Sequence, residues 1–264
     1  MKKSYFFLLS LFVLLLLTYT KISLSLVVIG VVASFIGTLA GGGGLITLPA
    51  MLLVGIPIQT SIATNKFSSG VAALSSVFYL IYNRELHLTA ILKNIVIAIV
   101  GGICGALLTA SMSEATMNGI ACMLLIFALF MTLKKTDWTT QTKELPTTHN
   151  TGVLQPFLIA AYDGGFGPGS STFSILYYIR NHSSYIQAVQ LTRVLIFGSC
   201  TGGFLVFYQT GFIQWSYAIA MALGSIIGSQ LGLLVLPKVP LKVAKRLLIV
   251  IMSLLLIQVM IKML

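Results

Sequence analysis

The sequence predicts an all-α, polytopic helical membrane protein made of two inverted repeats. Each repeat has a Gly-broken helical hairpin followed by three spans, and one N-terminal span precedes the pair. Three observations lead there. First, 57% of the residues are hydrophobic and 8% are charged, against roughly 25% charged in a soluble domain. Too few polar side chains remain to cover a surface facing water. Second, the runs Ser4–Thr20, Thr116–Leu133 and Ile213–Leu236 contain no Lys, Arg, Asp or Glu. Such runs approach or exceed the ~20 residues that cross a hydrocarbon core about 30 Å thick, and lipid leaves them only intrahelical partners for their N–H and C=O groups. Third, a shift of 127 residues lays Lys66 on Arg193, Leu86 on Ile213, Gly101 on Gly228 and Gly105 on Gly232.

In chain order, Lys2 and Lys3 precede the apolar stretch Phe6–Leu17, which has the form of a signal peptide. No small-x-small cleavage site follows at Thr18–Lys21, so residues 1–21 read as an uncleaved first span, with a cleaved signal as the alternative. The first repeat covers 22–134. Its opening stretch, about Ile22–Ile58, is interrupted by Gly41–Gly44, and the later runs include Ala90–Ala110, with Lys93 at its start, and Thr116–Leu133. Residues 135–151 are polar, hold Pro146 and both charge signs, and read as a cytoplasmic linker loop. The second repeat covers 152–264. Its break is Gly164–Gly169, and the arms Val153–Ala161 and Thr172–Ile179 are each too short to span. Each broken segment is either a hairpin turning inside the membrane or one long kinked crossing; the short arms favour the hairpin.

Loop charge sets the relative hand of the repeats. The first-half loop with Arg84, His87 and Lys93 is basic, and its repeat partner Gln209–Gln214 is uncharged. At the next loop the bias reverses: Ser111–Ala115 holds only Glu114, whereas its partner holds Lys238, Lys242, Lys245 and Arg246. Basic loops face the cytoplasm, so equivalent loops face opposite sides, as in an inverted repeat. This threading puts the N-terminus inside and the C-terminus outside, with Lys21 and Lys262 as exceptions.

A net charge of +11 does not imply nucleic acid here, because the basic residues are scattered at segment ends instead of forming a stripe. Cys104, Cys122 and Cys200 lack CxxC spacing and read as small packing residues. His87, His149 and His182 fall in separate loops, and there are no paired carboxylates, HExxH, GxSxG or P-loop. The chain therefore reads as a non-enzyme with no catalytic residues, no metal site and no cofactor.

Two kinds of feature point to function. Consecutive glycines cost a continuous helix roughly 1 kcal/mol each against Ala, so the chain turns or unwinds at Gly41, Gly42, Gly43 and Gly44. The same holds around Gly167 and Gly169, which Ser170, Ser171 and Thr172 follow. Unwound backbone at membrane depth persists where it is buried in protein or lines a wet cavity, and a helix starting after the break offers N–H groups and a positive dipole end to an anion. Gly101/Gly105 and Gly228/Gly232 instead fit close helix packing. The second feature is charge inside spans. Lys66, beside Thr64 and Asn65, and Arg193, beside Gln190 and Thr192, occupy equivalent positions. A charge at a helix centre costs about 2.5–3.5 kcal/mol on insertion scales, so each either faces a shared anion site or snorkels to its own interface. Asp163 is an acid directly before the second break. It reads as a partner of Lys66 or Arg193 in an ion pair, or as a protonatable coupling group.

The run Gly37, Gly41–Gly44, Pro49, Gly55, then Ala63, Thr64 and Asn65 resembles the hallmark of the sulfite exporter TauE/SafE family of bacterial permeases, and the block Gly164–Gly169 resembles it more weakly. The similarity covers about residues 25–262. It implies a secondary transporter that moves small sulfur-containing anions (sulfite, thiosulfate or organosulfonates), usually outward, across the bacterial cytoplasmic (inner) membrane. It carries over Gly41–Gly44, Pro49, Thr64 and Asn65 as matched positions; the roles of Lys66 and Arg193 rest on charge and repeat position. The expected partners are a small anionic substrate and the lipid bilayer; coupling to a proton or ion, suggested by Asp163 alone, and a homo-oligomer are left open. An anion channel and a non-transporting membrane scaffold are the alternative readings.

Overall fold

A computed structural model describes residues 24–86, 88–113, 152–181 and 183–238, with scattered helical positions at 116–123 and 243–253. The expected first span 1–21 and the linker 135–151 lie outside the described residues, as does most of the last span of each repeat. All the regular structure described is helical: α1 Leu24–Ala40, α2 Gly43–Leu53, α3 Ile58–Tyr82, α4 Leu88–Ala110, α5 Leu154–Gly165, α6 Ser170–Arg180, α7 Tyr185–Gln209 and α8 Trp215–Val235, the last running into a 3-10 turn Leu236–Lys238.

The 127-residue interval recurs in the elements themselves. Helices α2 and α6 both have 11 residues and α3 and α7 both have 25, and each later member starts and ends 127 positions after the earlier one. The N-caps Gly42 and Gly169 are also equivalent, and both have φ +80°. Glycine takes this left-handed conformation without the penalty that a Cβ brings.

Equivalent helices α3 and α7 pack on each other. A Cβ at Gly70 would lie 3.4 Å from Cys200 Cβ, and one at Gly203 would lie 3.4 Å from Lys66 Cδ. Residue number thus falls along α7 as it rises along α3, so the two run antiparallel. Two equivalent helices that meet antiparallel are related by a two-fold axis perpendicular to both. For helices that cross a bilayer, that axis lies in the membrane plane, which is the hand of an inverted repeat.

The same contacts decide the shape of the broken segments. Helix α5 runs parallel to α4: a Cβ at Gly101 would sit 2.7 Å from Phe157 O, and one at Gly165 2.9 Å from Gly105 O. Helix α4 in turn runs parallel to α7, with Gly198 against Ile95 O and Gly202 against Ile103 N. Helices α5 and α7 therefore point the same way, and α6 between them must return. The chain makes a hairpin, not a kinked crossing. The first half repeats the pattern, with α1 parallel to α8 through Gly30 against Met221 O and Gly232 against Phe35 O. At 1.5 Å per residue, the 11-residue arms reach only about 16 Å, well short of a crossing.

The packing reading of Gly101/Gly105 and Gly228/Gly232 holds. A Cβ at Gly105 would collide with Ala161 O and one at Gly228 with Val31 O. These backbone-to-backbone approaches bring each hairpin's first arm against the last described span of the other half, so the halves interlock. Among the described residues, Ile91–Ala110, Tyr185–Gln209 and Trp215–Lys238 are long and apolar enough to cross a membrane. Helix α3 matches α7 in length but carries Thr60, Ser61, Thr64, Asn65, Lys66 and Ser68, all buried. Its polarity is spent inside the bundle, where the hairpin tips meet.

Candidate functional site

The two glycine breaks touch. A Cβ at Gly44 would lie 3.4 Å from Gly167 O and 3.5 Å from Pro168 Cα, and one at Gly41 would lie 2.8 Å from Thr172 N. Both helices that restart after the breaks, α2 and α6, have a glycine N-cap with no side chain to accept from the first-turn N–H groups. Their positive ends converge on a cavity of about 30 Å3 lined by Gly43, Gly44, Asn65, Ser69, Asp163, Gly167, Ser170, Ser171, Arg193 and Cys200, among others. That is room for about two waters.

Snorkelling is ruled out for both cations, because Lys66 is 0% and Arg193 6% exposed. Instead each cation donates to the last turn of the other half's broken helix. Lys66 Nζ donates to Asp163 O near the end of α5, and Arg193 Nη2 donates to Gly37 O near the end of α1 at 2.6 Å. A helix C-terminus carries a negative dipole end that a buried cation opposes; Gly37 O accepts from Gly41 N as well as from Arg193. The two residues are equivalent, and so are their tasks.

Their surroundings differ in one respect. Lys66 Nζ lies 3.8 Å from Asp163 Oδ1. The position equivalent to Asp163 is Ile36, so Arg193 has no matching carboxylate, and its buried Nε lacks a hydrogen-bond partner. The Asp163 carboxylate also receives Ser170 Oγ at Oδ1 and Ser199 Oγ at Oδ2, with Cys200 Sγ 3.4 Å from Oδ2. Lys66 is thus neutralised, while Arg193 keeps both charge and donor capacity at the cavity wall.

The remaining sequence-derived residues divide clearly. Asn65 lines the cavity and accepts from Ser69 Oγ at 3.2 Å. Gly41 and Gly42 form the first turn, and Gly169 forms the second with Gly167. Thr64 is buried with no partner for its hydroxyl and lies outside the cavity lining. Gln190 points elsewhere and donates to Glu85 Oε2 in the α3–α4 loop. Ser69, Ser199 and Cys200 were not singled out from sequence as site residues. Ser199 and Cys200 follow Arg193 by roughly two turns on α7, and that spacing is the one signal that could have found them.

The sulfite exporter TauE/SafE model matches residues 26–259. The chain belongs to that family. The family is one of membrane transporters and not an enzyme class, and the member described here is a multi-pass membrane protein. It is 37% identical over 211 residues, 76% of this chain and 78% of the relative, to a "Probable membrane transporter protein ORF9" of Sinorhizobium sp. It is 31% identical over 206 residues, 77% of this chain and 81% of the relative, to a "Probable membrane transporter protein" of Haemophilus influenzae. A "Probable membrane transporter protein YdhB" of Bacillus subtilis is 27% identical over 236 residues, 84% of this chain and 94% of the relative. No solved structure matches the chain.

Proposed function

We propose that this membrane transporter exports small sulfur-containing oxyanions, such as sulfite, thiosulfate or organosulfonates, across the bacterial cytoplasmic membrane by alternating access. One observation supports this above the rest: the N-termini of α2 and α6 open on the cavity whose wall holds Arg193, a buried guanidinium with an unused Nε donor. Helix N-termini bind oxyanions through backbone N–H groups, and guanidinium offers paired donors to the same oxygens. The sulfur chemistry comes from the family's description and the outward direction from the same source. The cavity's small volume favours a carrier that widens to load over a standing channel.

The test is flux of labelled sulfite, thiosulfate, sulfate and taurine in vesicles containing purified protein. Saturable flux and counterflow of at least one sulfur oxyanion are expected, with loss of roughly tenfold or more in Arg193→Gln, because a charge-assisted bond to the anion contributes about 1.5–3 kcal/mol. Undiminished transport in that variant would falsify the site. Flux that fails to saturate and shows no counterflow would favour the channel.

A further inference from the structure

Asp163 is not needed to hold an anion, and it stands against one. Its carboxylate is 4% exposed, lines the cavity that the two helix N-termini and Arg193 share, and carries the sign of the proposed substrate. From these observations we infer that Asp163 is the proton site of the transporter and that the anion and a proton bind together. This rests on the anion reading above and names its coupling ion.

The groups facing Asp163 can be named element by element. Helix α3 presents Lys66, whose Nζ is 3.8 Å from Oδ1 and is also held by Asp163 O. Helix α7 presents the Cys200 thiol and the Ser199 hydroxyl to Oδ2, and Arg193 across the cavity. Helix α6 presents the Ser170 hydroxyl. On its own helix the adjacent Tyr162 turns its hydroxyl away to Pro168 O at 2.6 Å. Helix α4 approaches through Gly102 and Gly105, and its Cys104 is exposed.

With the acid ionised, Lys66 and Arg193 against Asp163 leave one net positive charge at the site. An oxyanion entering so small a cavity would stand within a few ångströms of a like charge in a desolvated wall. Protonation removes that charge. Lys66 then keeps its backbone acceptor, Asp163 O, so its side chain stays in place while its charge becomes available to the anion. Ser170 and Ser199 face different oxygens of the carboxylate, so on protonation one hydroxyl goes on donating to the carbonyl oxygen and the other can turn to accept from the new O–H. The proton and the anion therefore favour each other's binding, and by linkage each strengthens the other by the same factor. A dianion moving with one proton carries one negative charge outward, which an inside-negative potential drives.

The experiment uses the full-length protein and two anions whose charge is fixed between pH 5 and 9, thiosulfate and methanesulfonate, so that any pH dependence belongs to the protein. The apparent affinity should weaken by about tenfold per pH unit on the alkaline side, and a lumenal pH dye in vesicles should report protons moving with the anion. In Asp163→Asn the slope should flatten and the proton signal should disappear. Asp163→Glu keeps a carboxyl group at the site and should keep both the slope and the proton signal, which provides a reading even where Asp163→Asn folds poorly. Anion flux with a flat pH profile in the unaltered protein overturns the coupling alone, and so does a slope that persists in Asp163→Asn. An unaltered protein that moves neither these anions nor sulfite, sulfate or taurine overturns the anion reading first and the coupling with it.

Discussion

Replacing Lys66 with Met tests what the buried charges do for the fold. Lys66 is fully buried against a carboxylate that is 4% exposed, with Nζ 3.8 Å from Oδ1. At an effective dielectric constant of about 20, a pair at that distance attracts with roughly 4 kcal/mol. Desolvation offsets much of this in the intact protein, but removing one partner leaves the other desolvated and unopposed, which costs about 3–5 kcal/mol. The lost bond from Nζ also leaves Asp163 O without its side-chain donor at the end of α5. For a chain of this size, 1 kcal/mol moves the melting temperature by about 2–4 °C, so Lys66→Met should melt about 6–20 °C lower at neutral pH. Lys66→Met with Asp163→Asn removes both charges and should recover most of the loss. Intrinsic fluorescence melting in detergent measures both variants. A single variant that melts with the parent would refute the reasoning, as would a double variant no more stable than the single one.

Further consequences are measurable in the same preparations. Gly105→Ala drives a Cβ into Ala161 O and should destabilise by about 1–3 kcal/mol through overpacking, whereas Gly152→Ala, with nothing within 4 Å, should melt with the parent. Gly42→Ala and Gly169→Ala each force a Cβ into φ +80°; each should cost about 1–2 kcal/mol, with similar losses at the two equivalent turns. Gly70→Cys puts its Cβ 3.4 Å from that of Cys200, close to disulfide geometry. In a background with Cys104 and Cys122 replaced by Ala, mild oxidation should join the pair, seen as two lost thiols by mass, and transport should stop until reductant is added. Reporter fusions after Lys143 and at the C-terminus should report inside and outside respectively.

How much of this could be read from the sequence depended on whether the signal was local. Helix existence, the hairpin tips and the repeat were legible because apolar length, glycine runs and a matched interval are properties of neighbouring residues or of plain self-similarity. Lys66 and Arg193 stood out for the same reason, since a cation in an apolar segment is conspicuous. Asp163 is legible in the same way, as an acid beside the second break, and it does pair with Lys66, 97 positions away. The acceptor of Arg193 is not legible: it is Gly37 O, 156 positions away, and a backbone carbonyl leaves no mark in a sequence. Gln190 was drawn to the site by its place beside Arg193, yet three residues along a helix can point it to Glu85 at the loop. Cys200 was read as packing because thiols are small and apolar; only the fold shows that it faces a carboxylate.

The exchange of halves has a further use. Helices α5 and α6 lie more extensively against their own long helix α7 than α1 and α2 lie against α3, so two sequence-related units have been caught in unlike poses. Subtracting or adding 127 to every residue number converts the pose of one unit into that of the other and drafts a second conformer without a second structure. The draft is not a mirror image in charge: Asp163 takes the place of Ile36, and Lys66, taking that of Arg193, would reach Gly164 O where it now reaches Asp163 O. Two poses that match in shape are thus unequal in electrostatics, because only one of the two equivalent cations has a carboxylate beside it.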